Sequence, residues 1–209
     1  MHDVDFGIEL ASEHNGRATS YITARNNLIY HCHTAGVSIG GYAPERGRID
    51  HITVVNNTLY ENDTSETGSG EFQMQWNMAD DVFANNIVYA GPLCLITRNR
   101  SQVEKQRSPV AIDHNIYYCA SGSKSSTWKE FAATVTAFDK YVESTGNDRH
   151  SRFLDPHFVD PAAHDLHLRA DSPAIAAGTT DGVPVGELDL EGLPRVKSGN
   201  IDIGCYQSK

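Results

Sequence analysis

The chain has 209 residues, of which 39% are hydrophobic, and a formal net charge of -10. That length suits one domain with an appendage, and the acidic balance excludes a general nucleic-acid binder, which needs a basic face. No apolar run reaches the ~18 residues of a membrane span, and Met1-His2-Asp3-Val4-Asp5 has neither the basic start nor the apolar core of a signal peptide.

The first 120 residues are dominated by a repeat. Ile22 to Tyr30, Ile52 to Tyr60, Val82 to Tyr89 and Ile112 to Tyr118 each run from an apolar stretch through asparagine to tyrosine. The register residues Asn27, Asn57, Asn86 and Asn115 are 30, 29 and 29 apart, and a tyrosine follows each by three. A near-constant period of this length marks a solenoid whose repeats stack. Before each asparagine the apolar positions alternate, as in a strand with one buried face, and a short apolar strand follows the bend. A third strand per repeat is expected at Gly7 to Ser12, Gly36 to Gly41 and Glu71 to Trp76, with Leu93 to Ile96 as a fourth example.

Three short strands per coil and about four coils predict an all-β fold, a right-handed parallel β-helix. The asparagines are expected to satisfy backbone groups at the bends and to bond one another from coil to coil, with the tyrosines stacked alongside. Asn26, Asn56 and Asn85 form a second column that His114 ends. The chain starts inside a coil, so the first coil is expected to be covered by missing N-terminal coils or by a homo-oligomer.

From Ser121 the repeat stops. Ser121 to Ser126 reads as a polar linker, and Thr127 to Val142 as one or two helices with Trp128, Phe131, Val135, Phe138 and Val142 on one face. The expected division is therefore residues 1–120 as coils and 121–209 as linker, short helix and looped C-terminal cap. The cysteines Cys32, Cys94, Cys119 and Cys205 form no CxxC pair and read first as buried thiols, with one disulfide as the alternative.

Trp128-Lys129-Glu130-Phe131, Asp155-Pro156-His157-Phe158-Val159-Asp160-Pro161, Asp165-Leu166-His167-Leu168, Ser172-Pro173-Ala174-Ile175-Ala176-Ala177-Gly178, Asp189-Leu190-Glu191-Gly192-Leu193-Pro194-Arg195 and Ile201-Asp202-Ile203-Gly204-Cys205-Tyr206 carry a resemblance. They resemble the C-terminal signature of bacterial right-handed parallel β-helix repeat proteins of the polysaccharide-lyase-like group. Glu191 stands where that signature usually has aspartate. The resemblance implies a polysaccharide partner, an extracellular or periplasmic location, and a groove along the outward face of one sheet. It speaks for fold more than for activity.

On that reading the groove residues are Glu9, Ala11, Ser38, Gly40, Gln73 and Gln75, with Glu13, His14 and Tyr42 just beyond the strands, and Gly40 and Gly41 leaving room for a sugar ring. The candidate catalytic residues are Glu9, Glu13, Arg25 and Arg98. Ser38, Tyr42, Gln73, Gln75 and His14 are the candidate substrate contacts. Glu9 and Glu13 are also the candidate oxygen ligands for calcium, which often neutralises the uronate in lyases of this fold. A lyase acting on an acidic polysaccharide is the first expectation, with Lys105, Arg107, His31 and His33 as further bases or cations. A non-catalytic carbohydrate-binding or surface protein, and a hydrolase using paired carboxylates such as Glu9, Glu13 and Glu71, are the alternatives. His31-Cys32-His33 places two imidazoles on one side of a strand without an evident third metal ligand. The loop from Glu61 to Gly70 reads as acidic and flexible, and Arg98 to Arg107 as a basic segment.

Overall fold

A computed structural model describes residues 1–100, 110–122, 124–130 and 132–208. The first coil consists of β1 (Phe6–Ser12), β2 (Ala18–Ser20), β3 (Thr23–Arg25) and β4 (Leu28–Tyr30). The second repeats it as β5 (Ala35–Gly41), β6 (Arg48–Asp50), β7 (Thr53–Val55) and β8 (Thr58–Tyr60). The third is β9 (Phe72–Met74), β10 (Met78–Ala79), β11 (Asp81–Ala84) and β12 (Ile87–Tyr89), and the fourth β13 (Leu95–Asn99), β14 (Val110–Asp113) and β15 (Ile116–Tyr118). Equivalent strands pair in parallel, in the orders β1-β5-β9-β13, β2-β6-β10, β3-β7-β11-β14 and β4-β8-β12-β15. The chain is thus a parallel β-helix of about four coils.

The first three coils have four strands each, not the expected three, because a short unexpected strand, β2, β6 or β10, precedes the expected β3, β7 or β11. Tyr21, His51 and Asp80 sit between the two strands with φ of 59°, 55° and 55°. A left-handed residue turns the chain and ends the ladder on one face. The second bend uses Asn26, Asn56, Asn85 and His114 in the same conformation, and the third begins at His31 and Glu61. Side chains between these corners fill the interior: Ile29, Val37, Ile39, Val54, Leu59, Phe72, Met74 and Phe83 are buried.

The asparagine ladder is present. Asn57 Oδ1 accepts from Asn27 N at 2.9 Å and Asn27 Nδ2 at 2.8 Å. Asn86 Oδ1 accepts from Asn57 N at 2.9 Å and Asn57 Nδ2 at 3.0 Å. Asn115 Oδ1 accepts from Asn86 N at 2.9 Å, and Ser151 and Asp148 close the ladder beyond Asn115. The tyrosine column runs from Tyr60 through Tyr89 to Tyr118, at ring separations of 4.8 and 5.0 Å. Tyr30 instead stacks between His2 and His164.

The segment read as helical across 127–142 is a hairpin followed by one helix. β16 (Thr127–Glu130) extends the first sheet, β17 (Ala133–Thr136) returns antiparallel to it, and α1 (Phe138–Thr145) follows. The apolar spacing fits a helix, yet the exposed edge of β13 templates a strand, and Thr134, Val135 and Thr136 are β-branched. Trp128 and Val135 are paired across the hairpin. Trp128 stacks on Tyr141 of α1 at 5.0 Å, and Tyr117, Phe138 and Phe153 complete the cluster. Phe131 lies outside the described residues. β18 (Arg152–Phe153) then pairs with β15.

The tail, expected as the cap, does not close the stack. The hairpin and α1 close the end of the stack, while the tail runs back along its side. After β19 (Phe158–Asp160) and β20 (Asp165–Leu168), tail carbonyls accept from the second asparagine column: Thr179 O from Asn85, Asp202 O from Asn56 and Leu188 O from Asn26, at 2.7, 3.0 and 2.7 Å. That column descends to the first coil, and the tail follows it. Two cysteines are buried thiols, Cys32 and Cys205; Cys94 and Cys119 form a disulfide between turns of the third and fourth coils. Residues 1–5 pair with the edge beside β4, through Tyr30 N to Met1 O and His33 N to Val4 O.

Candidate functional site

The expected groove sheet has the expected register for Glu9, Ser38 and Gln73, and Arg98 and Lys129, not expected on it, extend the row across five strands. Its middle is not an open binding face. Ser38, Gln73 and Gln75 are buried and bond one another, Ser38 Oγ donating to Gln73 Oε1 at 3.1 Å and accepting from Gln75 Nε2 at 2.9 Å. Gly40 and Gly41 do not leave room for a sugar ring. A Cβ at Gly40 would lie 2.9 Å from Gln75 Cβ, and one at Gly41 2.3 Å from Gly47 O. These glycines permit close approach of backbone.

The catalytic candidates are dispersed. Glu9 and Arg98 share the row but stand three strands apart, about 14 Å. Arg25 is on β3, in another sheet, against Gly186 of the tail. Arg98 Nη1 donates to Gly68 O at 3.0 Å. Glu13, His14 and Tyr42 are exposed beyond β1 and β5. Lys105, Arg107 and the basic segment beyond Arg100 lie outside the described residues. Glu71, the third carboxylate of the hydrolase alternative, is fully buried. Its Oε1 accepts from Asn62 N and Gly91 N at 2.8 and 3.0 Å and its Oε2 from Asn62 Nδ2 at 2.7 Å, while burial pushes its pKa up to about 8. It braces a bend. The loop expected to be flexible is likewise braced: buried Asp63 accepts from Thr67 N, Thr67 Oγ1, Gly68 N and Gly70 N at 2.7–3.0 Å.

Among the described residues, histidines and carboxylates converge around open space at the third corner. His31, His33, Asp3 and Glu61 line a cleft of about 490 Å³, with Thr64, Ala90 and Gly91 among its other walls. The repeat explains it. His31, Glu61, Ala90 and Cys119 each follow the repeat tyrosine by one. Stacking puts His31 and Glu61 in successive coils, with His31 Nε2 3.5 Å from Glu61 Oε2. At Ala90 the column shrinks to a methyl group and leaves the hollow. Cys94, held to Cys119, also lines it. His33 Nδ1 lies 3.5 Å from Asp5 Oδ1, and Asp3 is held below the usual carboxylate range by its hydrogen bond from His2. His31 also meets the His164 ring edge-on at 4.9 Å, beside the Tyr30–His164 stack. The expectation that His31 and His33 share a side is met by a bend following β4 and not by a strand.

An imidazole beside a carboxylate in a solvent-open cleft can give and take protons at a bound ligand. Asp3 and Glu61 are carboxylates, and among the described residues no arginine or lysine lines the cleft. Sequence reasoning named His31 and His33 but not their partners. Extending the repeat columns one position past tyrosine would have paired His31 with Glu61.

The C-terminal motif residues have structural work. Asp189 Oδ1 accepts from Glu191 N and Leu193 N at 2.9 and 2.8 Å, and its Oδ2 from Gln207 N at 2.7 Å. Arg195 is fully buried and donates to the carbonyls of Gly204 and Cys205 at 3.1 and 2.8 Å and to Asn26 Oδ1. No helix is long and apolar enough to cross a membrane among the described residues.

No family model matches the chain, and no solved structure is significantly similar to it. It is 31% identical over 174 residues to the uncharacterized protein YwoF of Bacillus subtilis (strain 168). The match takes in 83% of this chain and 36% of that protein, so the chain spans about a third of its relative's length.

Proposed function

We propose that this chain is a carbohydrate-active β-helix segment that seats a glycan in the His31–Glu61 cleft and acts on it by acid–base chemistry. The observation that carries this reading is the His31–Glu61 pair, stacked in register on the rim of a hollow made by Ala90 and Gly91. Cleaving a glycosidic bond takes a group that protonates the leaving oxygen and one that accepts a proton from water. Glu61, Asp3 and His31 supply both kinds of group. With carboxylates and no ammonium or guanidinium among the described residues of its walls, the cleft favours an uncharged sugar over a polyanion. The Cys94–Cys119 disulfide supports an oxidising location, such as the extracellular or periplasmic one that the resemblance implies.

The test is calorimetric binding to neutral and uronate-containing glycans, with release of reducing ends and of unsaturated product both followed. His31→Ala and Glu61→Gln are expected to weaken binding or turnover of a neutral glycan at least about tenfold. Binding and turnover indifferent to both substitutions would end the reading.

A second reading, a lyase acting on an acidic polysaccharide, is favoured by one arrangement. Arg98 and Lys129 are neighbours on adjacent strands at one end of the Glu9–Ser38–Gln73 row. Unsaturated product from a uronate polymer, abolished by Arg98→Ala and not by His31→Ala, would establish it instead.

A further inference from the structure

Asp113, at the end of β14, is followed by His114, and the loop after α1 brings up His150. Their ligand-type atoms all lie within 4.8 Å of one another. Asp113 Oδ1 accepts from the backbone N–H of both His114 and His150 at 2.8 Å, which fixes the carboxylate. Its Oδ2 meets His150 Nδ1 at 2.7 Å, and the two imidazole rings stack in parallel at 4.9 Å.

We infer that Asp113, His114 and His150 bind a divalent transition-metal ion of the zinc class. An ion pair between Asp113 and His150 would employ two of the three residues and leave His114 unexplained. His114 occupies the left-handed position at which Asn26, Asn56 and Asn85 bind the tail. In the fourth coil this position carries an imidazole turned to a second imidazole. Two imidazoles and one carboxylate suit zinc, nickel or cobalt and do not suit calcium or magnesium, which prefer oxygen. Ligand atoms ~2.0–2.1 Å from a tetrahedral ion stand about 3.3 Å apart. The closure needed falls on His114 and His150, whose side chains are partly or largely exposed.

A second observation lies in the adjoining cleft of about 780 Å³, lined by Asp80, Asp81, Asp113, Asp148 and Arg149 among others. Asp81 is 1% exposed, and its Oδ2 is without a hydrogen-bond partner. Three protein ligands leave at least one coordination position for water or an exchangeable ligand, beside a cleft that holds an unused buried acceptor.

The experiment titrates zinc into the folded chain by calorimetry, with visible absorbance of the cobalt form as a second readout. One ion per chain is expected, undisturbed by excess calcium or magnesium. His114→Ala and His150→Ala should each weaken binding at least about tenfold with circular dichroism unchanged, and His150→Gln serves if the alanine variant misfolds. The double variant His31→Ala/His33→Ala should bind as the unsubstituted chain does. Absence of zinc binding at hundred-micromolar concentrations, on the order of weak surface association, overturns the assignment. So does binding that survives loss of both His114 and His150, or binding lost with His31 and His33, which would place the ion in the other cleft.

Discussion

Asn86 shows what a single column residue does. Its Oδ1 receives two hydrogens from Asn57, and its Nδ2 donates to Val54 O at 3.0 Å and to Asn115 Oδ1 at 3.3 Å. Truncation leaves buried donors and an acceptor without partners, and each such group costs about 1–3 kcal/mol. Asn86→Ala is therefore expected to lower stability by about 2–4 kcal/mol, read as a drop in urea midpoint with the slope preserved. Asn86→Asp keeps the acceptor, loses both donated bonds and buries a charge, and should be no better. At Arg195, lysine is not a conservative change, since one ammonium cannot reach Gly204 O, Cys205 O and Asn26 Oδ1 with the planar fork's geometry.

Among elements, the tail and the coils meet at points with little tolerance. Gly204 has φ of +97°, and a Cβ there would stand 2.7 Å from Ile87 Cδ1 and 3.0 Å from Thr58 Oγ1. Gly204→Ala is expected to loosen the tail by about 1–3 kcal/mol. Limited proteolysis should then cut within 170–208 faster than in the unsubstituted chain, and unchanged cleavage rates would contradict the docking described. The Cys94–Cys119 bridge closes a loop of sequence separation 25, worth about 3.5 kcal/mol on chain-entropy grounds. Reduction should lower the denaturation midpoint accordingly. Cys32 and Cys205 should resist thiol reagents until unfolding, because both are buried, with burial pushing their pKa values up to about 11 and about 12.

At the scale of the molecule, four buried carboxylates share one sign of pH dependence. Burial raises Glu71 to about 8, Asp81 to about 7, Glu130 to about 7 and Asp148 to about 6. The fold prefers their protonated forms. Their contribution is thus complete below the ordinary carboxylate pKa and is lost as pH rises through about 6–8. Asp50, through its hydrogen bonds from Ser20 and His51, and Asp165, through His167, are held below the usual range. Their contribution is lost as pH falls. Stability should therefore peak near pH ~5 and decline toward pH ~8. Urea midpoints that rise steadily across that interval would refute this.

Much of the coil region was legible because stacking imposes a period, and a period is visible in one dimension. The ladder asparagines and the second column follow from spacing alone, and the pairing of Glu9 with Ser38 and Gln73 follows from the alternation of apolar residues around them. What depends on distant segments was not legible. The strand at Thr127–Glu130 exists because the edge of β13 is there to template it. Ser38 and Gln73 alternate correctly to face outward, yet they are buried and satisfy each other. The His31–Glu61 cleft needed both the column and the shrinkage at Ala90. The sequence by itself determined the stack of coils, because each coil repeats the same local conflict between buried side chains and unpaired bends. Only the tertiary structure decided which bends the tail covers and which side chains stay beside open space, because those depend on contacts between residues with no common period.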